Sequence, residues 1–190
     1  GGQSYMKHLG TKELETERLI LRRFTIHDAG DMYKNWASDL EVTKYLMWPA
    51  HDSVDISRDV LNNWISNYEK EDFYQWAIVP KDLNQPIGTI SIVHQDKSTK
   101  MVHVGYCIGR KWWNRGFTSE ALSRLIRFFF EEVKVNRIES RHDPRNPNSG
   151  KVMMKCGLKC EGTSRQSDWN NQGICDVSFY GILASDYFDY

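Results

Sequence analysis

The chain has few cysteines, few prolines and no long apolar segment. Only four cysteines and five prolines occur among its 190 residues. Cys107, Cys156, Cys160 and Cys175 show neither a C-x-x-C pair nor histidine-rich spacing. A zinc site is therefore not predicted, and reduced thiols in a cytoplasmic protein are expected. No apolar run approaches the roughly 18–20 residues that a membrane helix needs.

A net charge is also missing. Lys and Arg number 25, Asp and Glu number 25, and the formal net charge is zero. This balance argues against a nucleic-acid-binding stripe and against a polybasic membrane anchor, because both need an excess of positive charge. The length predicts one domain over residues 1–190. Gly1 to Tyr5 resemble an appended tag before Met6, and they lack the apolar core of a signal peptide.

The hydrophobic pattern predicts a mixed α/β chain in the order β-α-α-β-β-β-α-β-α-β-β. Thr25 and Ser53 are expected to cap the first two helices, and Ser149 the last one, which Gly157 ends. Three strand patterns in the middle of the chain predict an antiparallel meander. These patterns cover residues 74–79, 87–93 and 101–108. A final hairpin is predicted at residues 170–173.

The most informative segment joins the third strand of the meander to the helix that follows it. Backbone N–H groups at a helix start point at a common spot that favours an anion. Gly116 would let a phosphate approach the backbone, and Arg110, Lys111 and Arg115 would add positive charge. The segment thus predicts a pyrophosphate cradle, with a simple glycine turn as the alternative. The loops of nucleotide triphosphatases and dinucleotide enzymes have other patterns, which this segment lacks.

Three motifs in this order resemble the GNAT-fold acyl-CoA N-acyltransferases, and specifically their RimJ/RimL-like branch. LETERLILR, from Leu14, is similar to the first strand of that branch. WNRGFTSEAL, from Trp113, resembles its acetyl-CoA loop, and Asn146–Ser149 with the following VMMKCGL resembles its NxxS segment. Asp176 and the final FYGIL match its closing strand. The resemblance implies the GNAT fold, a mostly antiparallel twisted sheet with helices on both faces.

The resemblance also implies acetyl-CoA as the acyl donor, without a metal. In the family, loop amides hold the pyrophosphate, and these map to Asn114, Arg115, Gly116, Phe117, Thr118 and Ser119. The backbone of a splayed strand pairs with the pantetheine, and here that strand is Tyr106, Cys107 and Ile108. Asn146 and Lys151 are expected to bind other parts of the donor. Thr118 departs from the glycine or alanine that is usual in the loop.

Direct transfer to an amine needs a base for the amine and a proton for the leaving thiolate. Ser149 is implied as the proton donor, because Met153 stands where many family members carry a tyrosine. A purely structural helix cap is the alternative for Ser149. His103 is the candidate base, with a buried structural histidine as the alternative and Glu139 as a second candidate. Cys107 has no histidine placed beside it, which favours a strand residue over a nucleophile.

The acceptor site is expected to form from the first two helices and their loop, with the last hairpin facing it. Trp48 and Trp169 are predicted walls of this site, and Tyr45 and His51 are further candidates. Trp36 is another candidate, but its place on a helical apolar face favours the core. A protein or peptide N-terminal amine is the leading acceptor by resemblance, and a small amine such as a polyamine, amino sugar or antibiotic comes second. A non-catalytic acyl-CoA sensor is the alternative from another class. A homodimer fits the family, and neither nucleic acid nor membrane is an expected partner.

Overall fold

The computed structural model describes residues 5–189, and a single eight-stranded sheet runs through it. The predicted N-terminal tag lies outside the described residues except for Tyr5. The strands are β1 (Leu14–Glu15), β2 (Leu19–Arg22), β3 (Gln75–Pro80), β4 (Gly88–Asp96), β5 (Met101–Ile108), β6 (Arg137–His142), β7 (Lys159–Asn170) and β8 (Gly173–Leu183).

Six helices and a separate 3-10 turn (Arg110–Trp112) accompany the sheet in the described residues. The first, α1, joins a 3-10 turn (Ile26–Asp28), an α-helical turn (Ala29–Met32) and a π-helical turn (Tyr33–Ala37). The others are α2 (Leu40–Thr43), α3 (Val54–Asn67), α4 (Phe117–Phe128), α5 (Pro147–Lys155) and α6 (Ala184–Phe188). A further π-helical turn, Phe129–Val133, extends α4. In the part of the chain that the structure describes, no helix is long and apolar enough to cross a membrane.

The predicted mixed α/β class, the order of the main elements and the antiparallel meander are confirmed. The sheet order is β1-β2-β3-β4-β5-β6-β8-β7, and every neighbouring pair is antiparallel except β5 with β6. The hairpin between β7 and β8 also lies where it was predicted. The sequence pattern missed β1, α2 and α6, because elements of two to five residues are too short to show a hydrophobic period.

The two faces of the sheet carry separate cores. On β3, Trp76 and Ile78 belong to the core that α4 covers, while Ala77 and Val79 belong to the core under α1 and α3. This division follows from the alternation of side chains along a strand. Trp36 is fully buried in the second core, so it is a core residue, as its helical apolar face indicated, and not an acceptor wall.

Two predicted helix caps have different outcomes. The backbone N–H of Thr25 donates to Asp28 Oδ2 at 2.8 Å, which is one half of a capping box. The prediction for α5 was wrong, because Asn146 is its cap and Ser149 lies inside the first turn. Pro147 explains the shift, since proline fits the first position of a helix, where no N–H partner is needed. Gly157 has φ of +94° directly after the helix end, as predicted.

Candidate active site

A cleft opens where β5 and β6 separate. The two strands pair only from Met101 to His103, opposite Arg137 to Glu139. Beyond this point, β4 is the only strand among residues 5–189 that pairs with β5. The N–H of Gly109 donates to Ile87 on the β4 side, so the backbone groups of alternate residues, Ile108, Tyr106 and Val104, point toward the gap. The residues around this gap line a cleft of about 930 Å³.

The start of α4 forms one end of the cleft. Gly116 caps the helix with φ of +77°, a conformation that suits glycine. The first intrahelical bond runs from Glu120 N to Gly116 O, so the preceding amides of Phe117, Thr118 and Ser119 have no acceptor within the helix. These three residues, Gly116 and Asn114 all line the cleft. The geometry fits a bound diphosphate, because free amides and the helix dipole favour an anion there.

The positive charge at this end differs from the prediction. Arg110 makes a bidentate ion pair with Asp39, at 3.0 Å for both bonds, and is therefore committed elsewhere. The exposed Lys111 lies over the Trp112 ring. The side chain of Arg115 is exposed, and Arg115 is the one residue of the predicted loop that does not line the cleft.

Two lysines of α5 supply the charge instead. Lys151, which was predicted, and Lys155, which was missed, both line the cleft and are exposed. Lys155 Nζ lies 4.0 Å from the position that a side chain on Gly116 would occupy. Residues four positions apart lie on the same face of a helix, so the spacing of Lys151 and Lys155 already indicated in the sequence that the two amines lie together. Asn146, at the cap of α5, lines the cleft beside them.

Ser149 lines the cleft and contacts a tyrosine. The Tyr106 hydroxyl lies 3.0 Å from the Ser149 carbonyl oxygen and 3.1 Å from Ser149 Oγ. Burial raises the pKa of Tyr106 well above its ordinary value, so the phenol stays protonated. The Tyr106 hydroxyl donates to the Ser149 carbonyl and lies beside Ser149 Oγ, so it can orient the serine hydroxyl. The sequence had suggested only backbone contacts for Tyr106.

His103 and Glu139 form a second pair, at the point where the strands separate. His103 Nδ1 lies 2.7 Å from Glu139 Oε2, and the histidine is buried. Burial opposes ionisation of Glu139, but hydrogen bonds from His103 and Arg137 outweigh it and lower the pKa of this carboxyl. An ionised carboxylate only accepts, so Nδ1 carries the hydrogen and Nε2 is the nitrogen that can take up a proton. Burial lowers the pKa of His103, and Glu139 partly offsets this effect.

The two pairs face the cleft from opposite faces of the sheet. Tyr106 packs against the core under α4, whereas Cys107 packs against the core under α1 and α3. His103 shares the face of Cys107, since side chains of a strand alternate, and Glu139 lies opposite His103 in parallel register. A molecule that passes through the gap between β5 and β6 would meet Ser149 from one face and His103 from the other.

Comparison with known proteins agrees with this geometry. Residues 18–159 match the model of the acetyltransferase (GNAT) domain. The uncharacterized N-acetyltransferase p20 of Bacillus licheniformis is 32% identical over 175 residues, which cover 92% of this chain and 97% of that protein. The chain belongs to the GNAT acetyltransferase family. Its acyl donor is therefore acetyl-CoA, as predicted.

Two further GNAT relatives are informative. The crystal structure of a GNAT acetyltransferase from Bacillus anthracis superposes with a TM-score of 0.81 at 25% identity, over 92% of this chain and 99% of that one. The [ribosomal protein uS5]-alanine N-acetyltransferase of Escherichia coli is 24% identical over 169 residues, 85% of each chain. The resemblance to the RimJ/RimL-like branch of the GNAT family is thus confirmed.

The other side of this GNAT cleft is closed by contacts between distant segments. In the β7–β8 turn, the Asn171 side chain donates to the carbonyls of Thr43 and Trp48, both at 2.8 Å. The Asn171 N–H donates to Leu46 O at 3.0 Å. These bonds hold the segment after α2 against the hairpin. Trp48, Trp169 and Tyr45 all line the cleft here, whereas His51 is buried against Ser57 and does not.

Both charged and apolar side chains line this side of the cleft. Glu139 and Asp168 line it, and Arg141 lies 3.7 Å from Asp168. Asp143 is buried, and although burial opposes its ionisation, Arg145 and Asn170 lower its pKa to about 2. The exposed apolar residues at the rim are Met47, Val93 and Trp169.

Cys107 is not placed as a nucleophile. Burial raises the pKa of its thiol to about 12, so the reactive thiolate does not form near neutral pH. The residue packs beside the core under α1 and α3. The sequence-based preference for a strand residue therefore agrees with the geometry.

Proposed function

We propose that this GNAT enzyme transfers the acetyl group of acetyl-CoA directly to the N-terminal amine of a peptide or protein. The observation that carries the proposal is the gap between β5 and β6. It joins a diphosphate cradle on one face of the sheet to the His103–Glu139 pair on the other. Donor and acceptor can therefore meet within one cleft, without an intermediate on the protein.

The residues that would hold the donor follow the cleft. The amides of Gly116, Phe117, Thr118 and Ser119 would bind its diphosphate, with Lys151 and Lys155 supplying charge. The backbone of Tyr106 and Ile108 points into the gap and can pair with the pantetheine amides. Acetyl-CoA supplies a thioester, whose carbonyl carbon is open to attack by an amine.

The proposed proton transfers use one side chain pair on each face. His103 Nε2 accepts the proton that the attacking amine must lose, and Glu139 holds the ring in the required tautomer. As the carbon–sulfur bond breaks, Ser149 Oγ passes a proton to the departing sulfur and regains one from solvent, to which His103 in turn releases the proton taken from the amine. The Tyr106 hydroxyl keeps its own proton and orients Ser149. An α-amine, with an ordinary pKa of about 7.7–8.0, is partly neutral near pH 7, so a weak base suffices.

Two features support a peptide acceptor rather than a small amine. The uS5-alanine acetyltransferase relative acts on a protein, as its name states. In this chain, the acceptor side of the cleft has an apolar rim of Met47, Val93 and Trp169, which are 42%, 63% and 54% exposed. A small polar amine would cover little of this apolar surface, whereas the residues that follow a peptide N-terminus could pack against it.

The test is a panel of acceptors at fixed acetyl-CoA, with release of free thiol as the readout. It compares a peptide with a free N-terminal alanine, the same peptide with a blocked N-terminus and an internal lysine, spermidine, and an aminoglycoside. We expect turnover with the free N-terminus and loss of turnover with the blocked peptide. Preferential turnover of spermidine or the aminoglycoside would overturn the peptide assignment.

The same assay tests the proposed residues and the sensor alternative. Turnover that survives the double variant Ser149→Ala, His103→Ala would remove the proposed roles of both residues and leave the enzyme class in place. Tight binding of acetyl-CoA with no transfer to any amine would favour a non-catalytic sensor.

A further inference from the structure

The opening motif, LETERLILR, has no part in the proposed reaction, although it carries the resemblance to the family branch. Its Thr16 and Arg18 lie in the turn between β1 and β2. This turn lies about a hundred residues away from α4 in the sequence, yet it contacts the first turn of that helix. Both residues hydrogen-bond Glu120, and we call Thr16, Arg18 and Glu120 the clamp.

Arg18 makes four separate contacts around Gly116. Its Nε donates to Glu120 Oε1 at 2.7 Å, and its backbone N–H donates to Glu120 Oε2 at 2.9 Å. Its Nη1 donates to the Arg115 carbonyl at 3.0 Å. Its guanidinium also lies 4.4 Å from the centre of the Phe117 ring. One side chain thus fixes the residues on both sides of the glycine in the cradle.

The bond to the Arg115 carbonyl sets the direction of an amide. In a planar trans peptide the C=O and the following N–H point in opposite directions. With the Arg115 carbonyl held toward Arg18, the N–H of Gly116 points away from Arg18. Gly116 itself lines the cleft, and Arg18 lies 3.3 Å from the position that a side chain on it would take.

The clamp also compensates the negative charge of Glu120. Glu120 lies in the first turn of α4, close to the proposed diphosphate. Burial opposes its ionisation, but hydrogen bonds from Thr16 and Arg18 outweigh this and lower the pKa of Glu120, so it is charged near pH 7. An uncompensated carboxylate would repel the phosphates. Arg18 pairs with it and removes that repulsion.

We infer that Arg18, held by Glu120 and Thr16, is a positioning residue that sets the diphosphate cradle for acetyl-CoA. This inference rests on the cradle assigned under the proposed function. The inference predicts that a change of Arg18 weakens the binding of acetyl-CoA and does not slow the transfer of the acetyl group. It also predicts that lysine cannot replace arginine, because a single ammonium cannot contact Glu120 and the Arg115 carbonyl with the same fixed geometry.

The experiment compares Arg18→Met and Arg18→Lys with Lys81→Met. The control removes an ion pair with Glu15 in the same region, away from the cradle. We expect KM for acetyl-CoA to rise about tenfold in both Arg18 variants, with kcat at saturating acetyl-CoA within twofold. The control should leave both constants unchanged.

A truncated donor separates positioning from general damage to the fold. S-acetylpantetheine lacks the diphosphate, so kcat/KM for this donor should be the same in the Arg18 variants and the unaltered protein. Equal losses for both donors, or an unchanged KM for acetyl-CoA, would overturn the inference. Calorimetric binding of acetyl-CoA to the unaltered protein tests the cradle itself, so failure of the cradle and failure of the clamp remain distinguishable.

Discussion

Burial sets the protonation states of the side chains in the proposed reaction. His103 is 7% exposed, and this burial lowers its pKa below the ordinary value of 6.5. Tyr106 is kept protonated by the same effect, which opposes the charged form of each group. The histidine is thus neutral, as a base must be, and the phenol keeps its hydrogen and can serve as a hydrogen-bond donor.

The pH dependence of kcat follows from the His103–Glu139 pair. The neutral histidine is the active form, so activity is lost as pH falls through its lowered pKa, and the acid limb should lie below pH 6.5. Glu139→Gln removes a hydrogen bond that raises this pKa, so the limb should move to lower pH, with kcat reduced about tenfold or more. A limb above pH 6.5, or one that Glu139→Gln does not move, would contradict the role of His103 as the base.

Ser149 should act on the chemical step. Ser149→Ala should reduce kcat by about a hundredfold, the lower end of what general acid catalysis contributes, and leave the Kd of acetyl-CoA within twofold. Tyr106→Phe removes the hydroxyl that contacts Ser149 and should reduce kcat by a smaller factor. Steady-state kinetics with a peptide acceptor and calorimetry with acetyl-CoA give the two constants. If Ser149→Ala leaves kcat unchanged, the residue only supports the helix.

At the scale of secondary structure, the start of α4 depends on one backbone conformation. An alanine at position 116 would be strained at φ of +77°, at a cost of about 1–2 kcal/mol. Gly116→Ala should therefore raise the Kd of acetyl-CoA about tenfold, measured by calorimetry. Gly173→Ala is the matched control, because Gly173 has φ of +96° in the distant β7–β8 turn. Equal Kd values for the two variants would rule out the cradle.

The β7–β8 hairpin should affect the binding of the acceptor and not the binding of acetyl-CoA. Asn171→Ala removes two hydrogen bonds to the segment after α2, each worth about 1 kcal/mol, and loosens the wall that carries Trp48. We expect KM for the peptide acceptor to rise several-fold, with an unchanged Kd for acetyl-CoA. Gln172→Ala, at the neighbouring position of the turn, should change neither constant. A change in donor binding instead would show that the hairpin does not define the acceptor side.

Across the whole molecule, the sequence predicted what is local and missed what is brought together by folding. The cradle segment was found because a strand, a glycine and a helix start follow one another along the chain. The contact of Arg18 with Glu120 spans 102 residues, and that of Asn171 with Trp48 spans 123, so no local pattern shows them. Arg110 was misassigned for the same reason, since Asp39 lies 71 residues away.

The position of the gap in the sheet also depends on the whole fold. The family resemblance implied a splayed strand at residues 106–108, but the strand patterns of β5 and β6 are ordinary and do not indicate that pairing stops at His103 and Glu139. His103 and Glu139 were proposed separately as candidate bases, and only the parallel register makes them partners. The register depends on the long connection through α4, which a strand pattern does not contain.

The central claim is direct transfer in a cleft that holds donor and acceptor together. The most direct test measures initial rates while acetyl-CoA and a peptide with a free N-terminus are varied together. Direct transfer requires a ternary complex, so the double-reciprocal lines should intersect. Parallel lines, together with an acetyl group retained on the protein after acetyl-CoA is removed, would show a covalent intermediate and contradict this account.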